Sequence, residues 1–198
     1  MITRRRAAGL VAASVLLAGC GGPGPRSEAA ETALADQTVA ERIAGVTAAL
    51  VALGPGVDRA EAARAAGIAV RQPLAWAQEW QVVDPPLRHN FKVIHGMRDK
   101  GVCRDWTNAL HAALRQAGLR TLKLHVGVAN ARNVALEHVS VIVSARGAPM
   151  QSGVVLDPWR IGQGRLWYGK VSEDPRYRWE TLEAVRAWQA EMKARIPR

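Results

Sequence analysis

The apolar residues of this 198-residue chain change their spacing at Gly118. Upstream they recur every three to four positions, as on one face of a helix: Val39, Ile43, Val46 and Leu50 in the Ala-rich stretch from Glu28 to Leu53, then Leu110 and Leu114 behind Cys103. Downstream, "TLKLHVGVA" and "EHVSVIVS" alternate apolar and polar residues, and "GVVLDPW" is a third short run of strand character. A helix-period half followed by a strand-period half predicts an α+β fold, with a helical N-terminal part packed on a small antiparallel sheet.

Punctuation residues set the expected boundaries. Gly54-Pro55-Gly56 ends the helix of Glu28–Leu53. Asp58 is placed to cap a short helix through Ala66 that stops near Gly67, and a further piece from about Leu74 to Trp80 carries two tryptophans four apart. Asp84-Pro85-Pro86 is a helix-start signal for Leu87 to Met97, which the charged turn "RDKG" closes. The next helix opens close to Cys103, with Asp105 suited to its first turn, and stops at Gly118; a last one is expected from about Glu180 to Arg195.

The N-terminus reads as something other than structure. "MITRRRAAGLVAASVLLAGC" has a positive cluster, a small and apolar run, and the ending Leu17-Ala18-Gly19-Cys20, the three parts of a secretory signal in order. The run is too short for a bilayer span, which needs about 20 apolar residues. Leu-Ala-Gly-Cys resembles the bacterial lipobox, which implies that Cys20 is lipidated and becomes the first mature residue. Gly21 in the next position implies outer-membrane retention facing the periplasm. "GGPGPRSEAAE" follows as a flexible tether. The expected division is therefore 1–19 leader, 20–31 tether, 32–84 helical region and 85–198 a domain that holds Cys103, the strands and the C-terminal helix.

Charge narrows the partners. The full chain carries +10, and loss of residues 1–19 removes three arginines and no acids, leaving +7. That excess favours anionic surfaces. Basic residues are scattered and not interleaved with aromatics, and an exported protein does not meet nucleic acid, so nucleic acid is not expected as a partner.

With Cys20 acylated, Cys103 is the one remaining thiol in an oxidising compartment, which excludes an intramolecular disulfide. Buried structural thiol, metal ligand and nucleophile are left. The five histidines, His89, His95, His111, His125 and His138, show no His-x-x-x-His spacing, and no Cys-x-x-Cys occurs, so no metal or other cofactor is expected.

A nucleophile has support from its neighbours. A helix N-terminus favours developing negative charge, an imidazole can take and return a proton, and a carboxylate can fix that imidazole's tautomer. Cys103 at a helix start, His138 at the start of a strand and Asp157 at the end of the next supply these three groups, separated by 35 and 19 residues. His125 on the neighbouring strand is an alternative base, whereas His111, two turns along the helix of Cys103, is too far. Trp106, Trp159 and Trp167 suit either a cleft wall or core packing.

"KGVCRDWTNALHAALRQAGL", "LEHVSVIV" and "VVLDPW" together resemble the transglutaminase-like superfamily, a branch of the papain-like cysteine enzymes. The resemblance covers roughly Pro85 to Tyr168. It implies a papain-like core, with Cys103 as nucleophile, His138 as general base and acid, and Asp157 as its orienting partner. It also implies an upstream side chain that joins the Cys103 N–H in stabilising an oxyanion, for which Asn90 and His95 are the candidates. The expected activity is cleavage or exchange of an amide bond in a protein or peptide substrate by a membrane-anchored enzyme. The alternative is an envelope lipoprotein that keeps the fold for binding or assembly without catalysis.

Overall fold

The computed structural model describes residues 31–133 and 136–195, so the leader, Cys20 and all of the tether except Glu31 lie outside the described residues. It is an α+β protein: helices α1 (Val39–Val51), α2 (Arg59–Glu79), α3 (Pro86–Ile94) and α4 (Cys103–Gln116) precede strands β1 (Leu122–Ala129), β2 (His138–Ala145), β3 (Val154–Asp157), β4 (Trp167–Lys170) and β5 (Trp179–Thr181). Helix α5 (Leu182–Ala194) ends it. The sheet order is β4-β3-β2-β1-β5, and every pairing is antiparallel. No helix among the described residues is long and apolar enough to cross a membrane.

The first helical stretch is broken where the sequence reading expected continuity. Residues 31–35 form a helical turn of their own, and α1 starts after Thr38. Thr38 Oγ1 accepts from the Glu41 N–H and Glu41 Oε2 accepts from the Thr38 N–H, a reciprocal cap that fixes a new helix start.

The opposite error concerns α2. Asp58 does cap it, accepting from the Glu61 N–H at 2.6 Å. The helix then runs through Gly67 and Pro73 to Glu79, where two pieces were expected. Its buried stripe, Ala62, Ala65, Ala66, Ala69, Val70, Pro73 and Ala77, stays in phase across both residues, so burial overrides two local breakers. Gly164, at φ +72°, lets a later loop lie directly on the Pro73 carbonyl, where a Cβ would come within 2.2 Å. Helix α3 stops at Ile94, short of the expected Met97, and Asp84 binds Lys92 instead of capping.

One apolar core joins the two halves of the chain. Val46 and Leu50 of α1, the alanine stripe of α2, and Leu110 and Leu114 of α4 pack on Leu122, Val141, Val143, Val154 and Leu156 of the sheet. The region 32–84 is thus part of the core that supports α4. Glu61 completes the join: its buried carboxylate accepts from the backbone N–H groups of Arg120, Thr121 and Leu122 and from the Thr121 hydroxyl, anchoring the start of β1.

The other face of the sheet is covered by Met150, Trp167, Val171, Tyr177 and Trp179 around Ile142 and Val155. With both faces covered, β2 is buried along almost its full length.

Candidate active site

The sheet register aligns His138 with Asp157. Val141 pairs with Leu156, so the next pair outward sets Ser140 across from Asp157. His138, two residues further along β2, shares the face of Ser140 and is Asp157's diagonal neighbour. The contact is made: His138 Nε2 lies 2.7 Å from Asp157 Oδ2, with the histidine 2% and the aspartate 1% exposed.

Helix α4 brings the thiol to the same strand end. Thr107 Oγ1 donates to the Cys103 carbonyl (2.9 Å) and to the Val139 carbonyl (3.0 Å), tying the first turn of α4 to the residue after His138. Arg104 pairs with Glu137 on the preceding residue. Cys103, half-buried, packs against Val128 and Val139 on one side and Trp106 and Trp159 on the other. Its side chain interacts with His138. Since Nε2 is engaged by Asp157, the ring nitrogen left for the thiol is Nδ1.

The turn before Cys103 is fixed by side chains on three sides. Asp105 Oδ2 accepts from the N–H groups of Gly101 and Val102, and Trp106 Nε1 donates to the Gly101 carbonyl. His89, fully buried on α3, donates from Nε2 to the Lys100 carbonyl at 2.8 Å. Gly101 sits at φ +122°, and a Cβ there would come within 2.4 Å of His89 Nε2. Cys103 thereby opens α4 with its own N–H among those that have no intrahelical acceptor.

The electrostatics favour a charged pair. Burial alone would push the His138 pKa down, but the Asp157 charge and hydrogen bond, with a contribution from Cys103, raise it to about 9. Burial likewise opposes ionisation of Asp157, yet His138 and Arg160 hold its carboxyl down at about 2. The ring of His138 is enclosed by Tyr177 at 4.7 Å, Trp159 at 4.9 Å and Trp179 at 5.6 Å between centroids.

A second layer of charge lies behind Asp157. Buried Arg160 donates through Nε to Asp157 Oδ2 (3.2 Å) and through both terminal nitrogens to Asp174 (3.0 and 2.7 Å). Asp174 also accepts from the Trp179 indole and from the Arg176 and Tyr177 N–H groups, so the same carboxylate holds the aromatic walls of His138. The sequence reading missed Arg160 and Asp174. Arg160 does follow the "LDPW" motif directly, but its pairing with Asp174, 14 residues on, is a long-range contact without a local signature.

The remaining candidates fall apart from one another. Asn90 Oδ1 accepts from the Trp159 indole at 3.0 Å, which places α3 against the wall of the site. His95 caps the exposed end of α3, where Nδ1 bonds the Phe91 carbonyl and the ring stacks on Phe91, with no bond to Cys103, His138 or Asp157. His125 bonds Ser144 four residues along β1 from the register partner of His138, which is roughly 13 Å of strand, so it is not the base. Trp106 is core, Trp159 is the wall, and Trp167 lies under the Arg160 guanidinium at 3.5 Å. Among the described residues no three His, Cys, Asp or Glu side chains gather as a metal site.

The arrangement is an α+β scaffold presenting a thiol at a helix start, a buried imidazole and a buried carboxylate in series. No protein-family model, no curated protein and no solved structure matches this chain.

Proposed function

We propose that this chain is a transglutaminase-like thiol enzyme of the bacterial cell envelope, lipid-anchored at Cys20 and facing the periplasm, that acts on an amide bond of a protein or peptide. The observation that carries the reading is the buried His138, held by Asp157 on one ring nitrogen and left with the other for Cys103. A merely structural histidine has no need of a half-exposed thiol at its free nitrogen.

The chemistry follows from that order. Cys103 Sγ, its proton already passed to His138 Nδ1, attacks the amide carbon, and the carbonyl oxygen becomes an oxyanion beside the Cys103 N–H. Collapse of the tetrahedral adduct breaks the C–N bond, and the leaving amine takes the proton from His138. Water, deprotonated by His138, then attacks the thioester carbon and releases the acid and the thiol. An amine in place of water gives transamidation. Hydrolysis is the favoured outcome because water is abundant in the envelope. Asp157 holds the proton on Nε2, so that Nδ1 is the nitrogen that exchanges a proton with the thiol, the leaving amine and water.

The test is alkylation of Cys103 by iodoacetamide at neutral pH. His138→Gln is expected to slow labelling at least about tenfold, with the fold checked by circular dichroism. Equal labelling rates would leave the chain as a non-catalytic scaffold. In cells, Cys20→Ser is expected to move the protein out of the membrane fraction; retention there would remove the lipid-anchor part of the reading.

A further inference from the structure

Helix α3 is turned inside out. Its buried residue is His89, and Asn90 reaches inward to Trp159. Leu87, Phe91 and Ile94, at positions i, i+4 and i+7, are 72%, 55% and 76% exposed. Val83 before the helix and Met97 after it extend the same run. A helix of a soluble protein ordinarily buries such a stripe. Leu87, Phe91 and Ile94 together expose on the order of 400 Å² of apolar surface, within the range of the largest patch on a typical monomer.

Charge indicates what covers it. Between Val83 and Lys100 there are four basic residues and two acidic ones. One acid, Asp84, is already paired with Lys92, while Arg88 is exposed next to Leu87 on the helix and Lys100, exposed as well, lies over the Trp80 ring. An apolar face edged with Arg and Lys is the composition of a helix that lies in a lipid interface.

The tether points the same way, and this step rests on the lipid-anchor reading above. Ten residues separate Cys20 from Glu31, a reach of at most about 40 Å, comparable to the diameter of a domain this size. Glu31 itself binds Arg176, whose guanidinium lies over Tyr177, and Tyr177 stacks on His138. Trp159, on the same imidazole, is bonded to Asn90 of α3. Glu31 and α3 are thus both linked to the His138 imidazole through its aromatic walls.

We infer that α3 is a membrane-contact surface, with Leu87, Phe91 and Ile94 seated in an anionic bilayer and Arg88 at the level of its headgroups. The surface would hold the half-buried Cys103 near the membrane, where the substrate class is a protein or peptide lying at the lipid surface.

The test uses the whole chain carrying Cys20→Ser, so that no lipid anchor contributes, mixed with vesicles containing phosphatidylglycerol and with vesicles of phosphatidylcholine alone. Sedimentation with the anionic vesicles is expected, weaker on the neutral ones and falling as salt rises. Leu87→Asp with Ile94→Asp should lower the partition coefficient at least about tenfold, while circular dichroism and Cys103 labelling stay unchanged. Absence of vesicle binding, or binding that survives the double substitution, overturns the inference. So does a dimer that becomes a monomer on the same substitution without vesicle binding, which would assign the stripe to a second copy of the chain. Failure of the anchor is read separately, from fractionation of the unsubstituted chain in cells.

Discussion

Replacing Asp157 by Asn keeps the shape of the side chain and removes the charge that sets the state of His138. The Oδ1 position can still accept from the Trp159 and Arg160 N–H groups, so the turn after β3 is retained. At the other position an amide replaces the oxygen that accepted from His138 Nε2 and Arg160 Nε; it leaves the Arg160 Nε–H without that acceptor and donates to His138 Nε2, which forces the proton onto Nδ1, the nitrogen facing Cys103. Labelling of Cys103 is therefore expected to fall at least about tenfold, because that nitrogen can no longer take a proton. Stability falls as well. Holding His138 at about 9 against an ordinary 6.5 stabilises its charged form by about 3 kcal/mol. Because the folded value is the higher one, this contribution is complete below pH 6.5 and fades as pH rises through about 9. Urea unfolding followed by tryptophan fluorescence should show Asp157→Asn less stable by about 3 kcal/mol near pH 6, with the gap shrinking by about 2 kcal/mol or more near pH 9.5. A gap of the same size at both pH values would refute the assignment of the charge to His138.

Arg160→Met leaves Asp157 and Asp174 buried without their shared cation and should cost about 3–5 kcal/mol in thermal or urea unfolding; adding Asp174→Asn should return part of that loss, and strict additivity would show that the two do not act as a pair. Gly101→Ala should destabilise the chain by about 1–3 kcal/mol and slow Cys103 labelling, and should do so less on a His89→Ala background, where the atom that a Cβ meets is gone; an equal cost in both backgrounds would refute the steric account.

Much of this site was legible because its signals are local. The period change at Gly118, Cys103 at a helix start, and the strand positions of His138 and Asp157 all follow from short-range patterns, and antiparallel register then makes diagonal neighbours of the last two. Asp105 also lies where a first-turn acceptor belongs, although the groups it binds, Gly101 and Val102, became clear only with the turn in place. The start of α1 was readable too, since Thr38 and Glu41 have capping-box spacing, but Ala-rich continuity concealed it.

Other features were decided by partners distant in sequence. Helix α2 passes Gly67 and Pro73 because its alanine face is buried against α1, α4 and the sheet, an energy no local propensity contains. Strands β4 and β5 are only four and three residues long, and they exist because β3 and β1 offer edges for them to pair with. Asn90 and His95, five residues apart on one amphipathic segment, look alike in sequence; packing sends the first to Trp159 and leaves the second in solvent.

By itself, then, the sequence determined the helical first half, the strands of His138 and Asp157, and which side chains could carry thiol chemistry, because periodicity and residue type act within a few positions. Only the tertiary structure decided that Asp157 raises the pKa of a caged His138, that Arg160 and Asp174 stand behind Asp157, and that the apolar stripe of α3 faces outward. Each of these depends on burial and on charges meeting across the fold, and neither can be read along a chain.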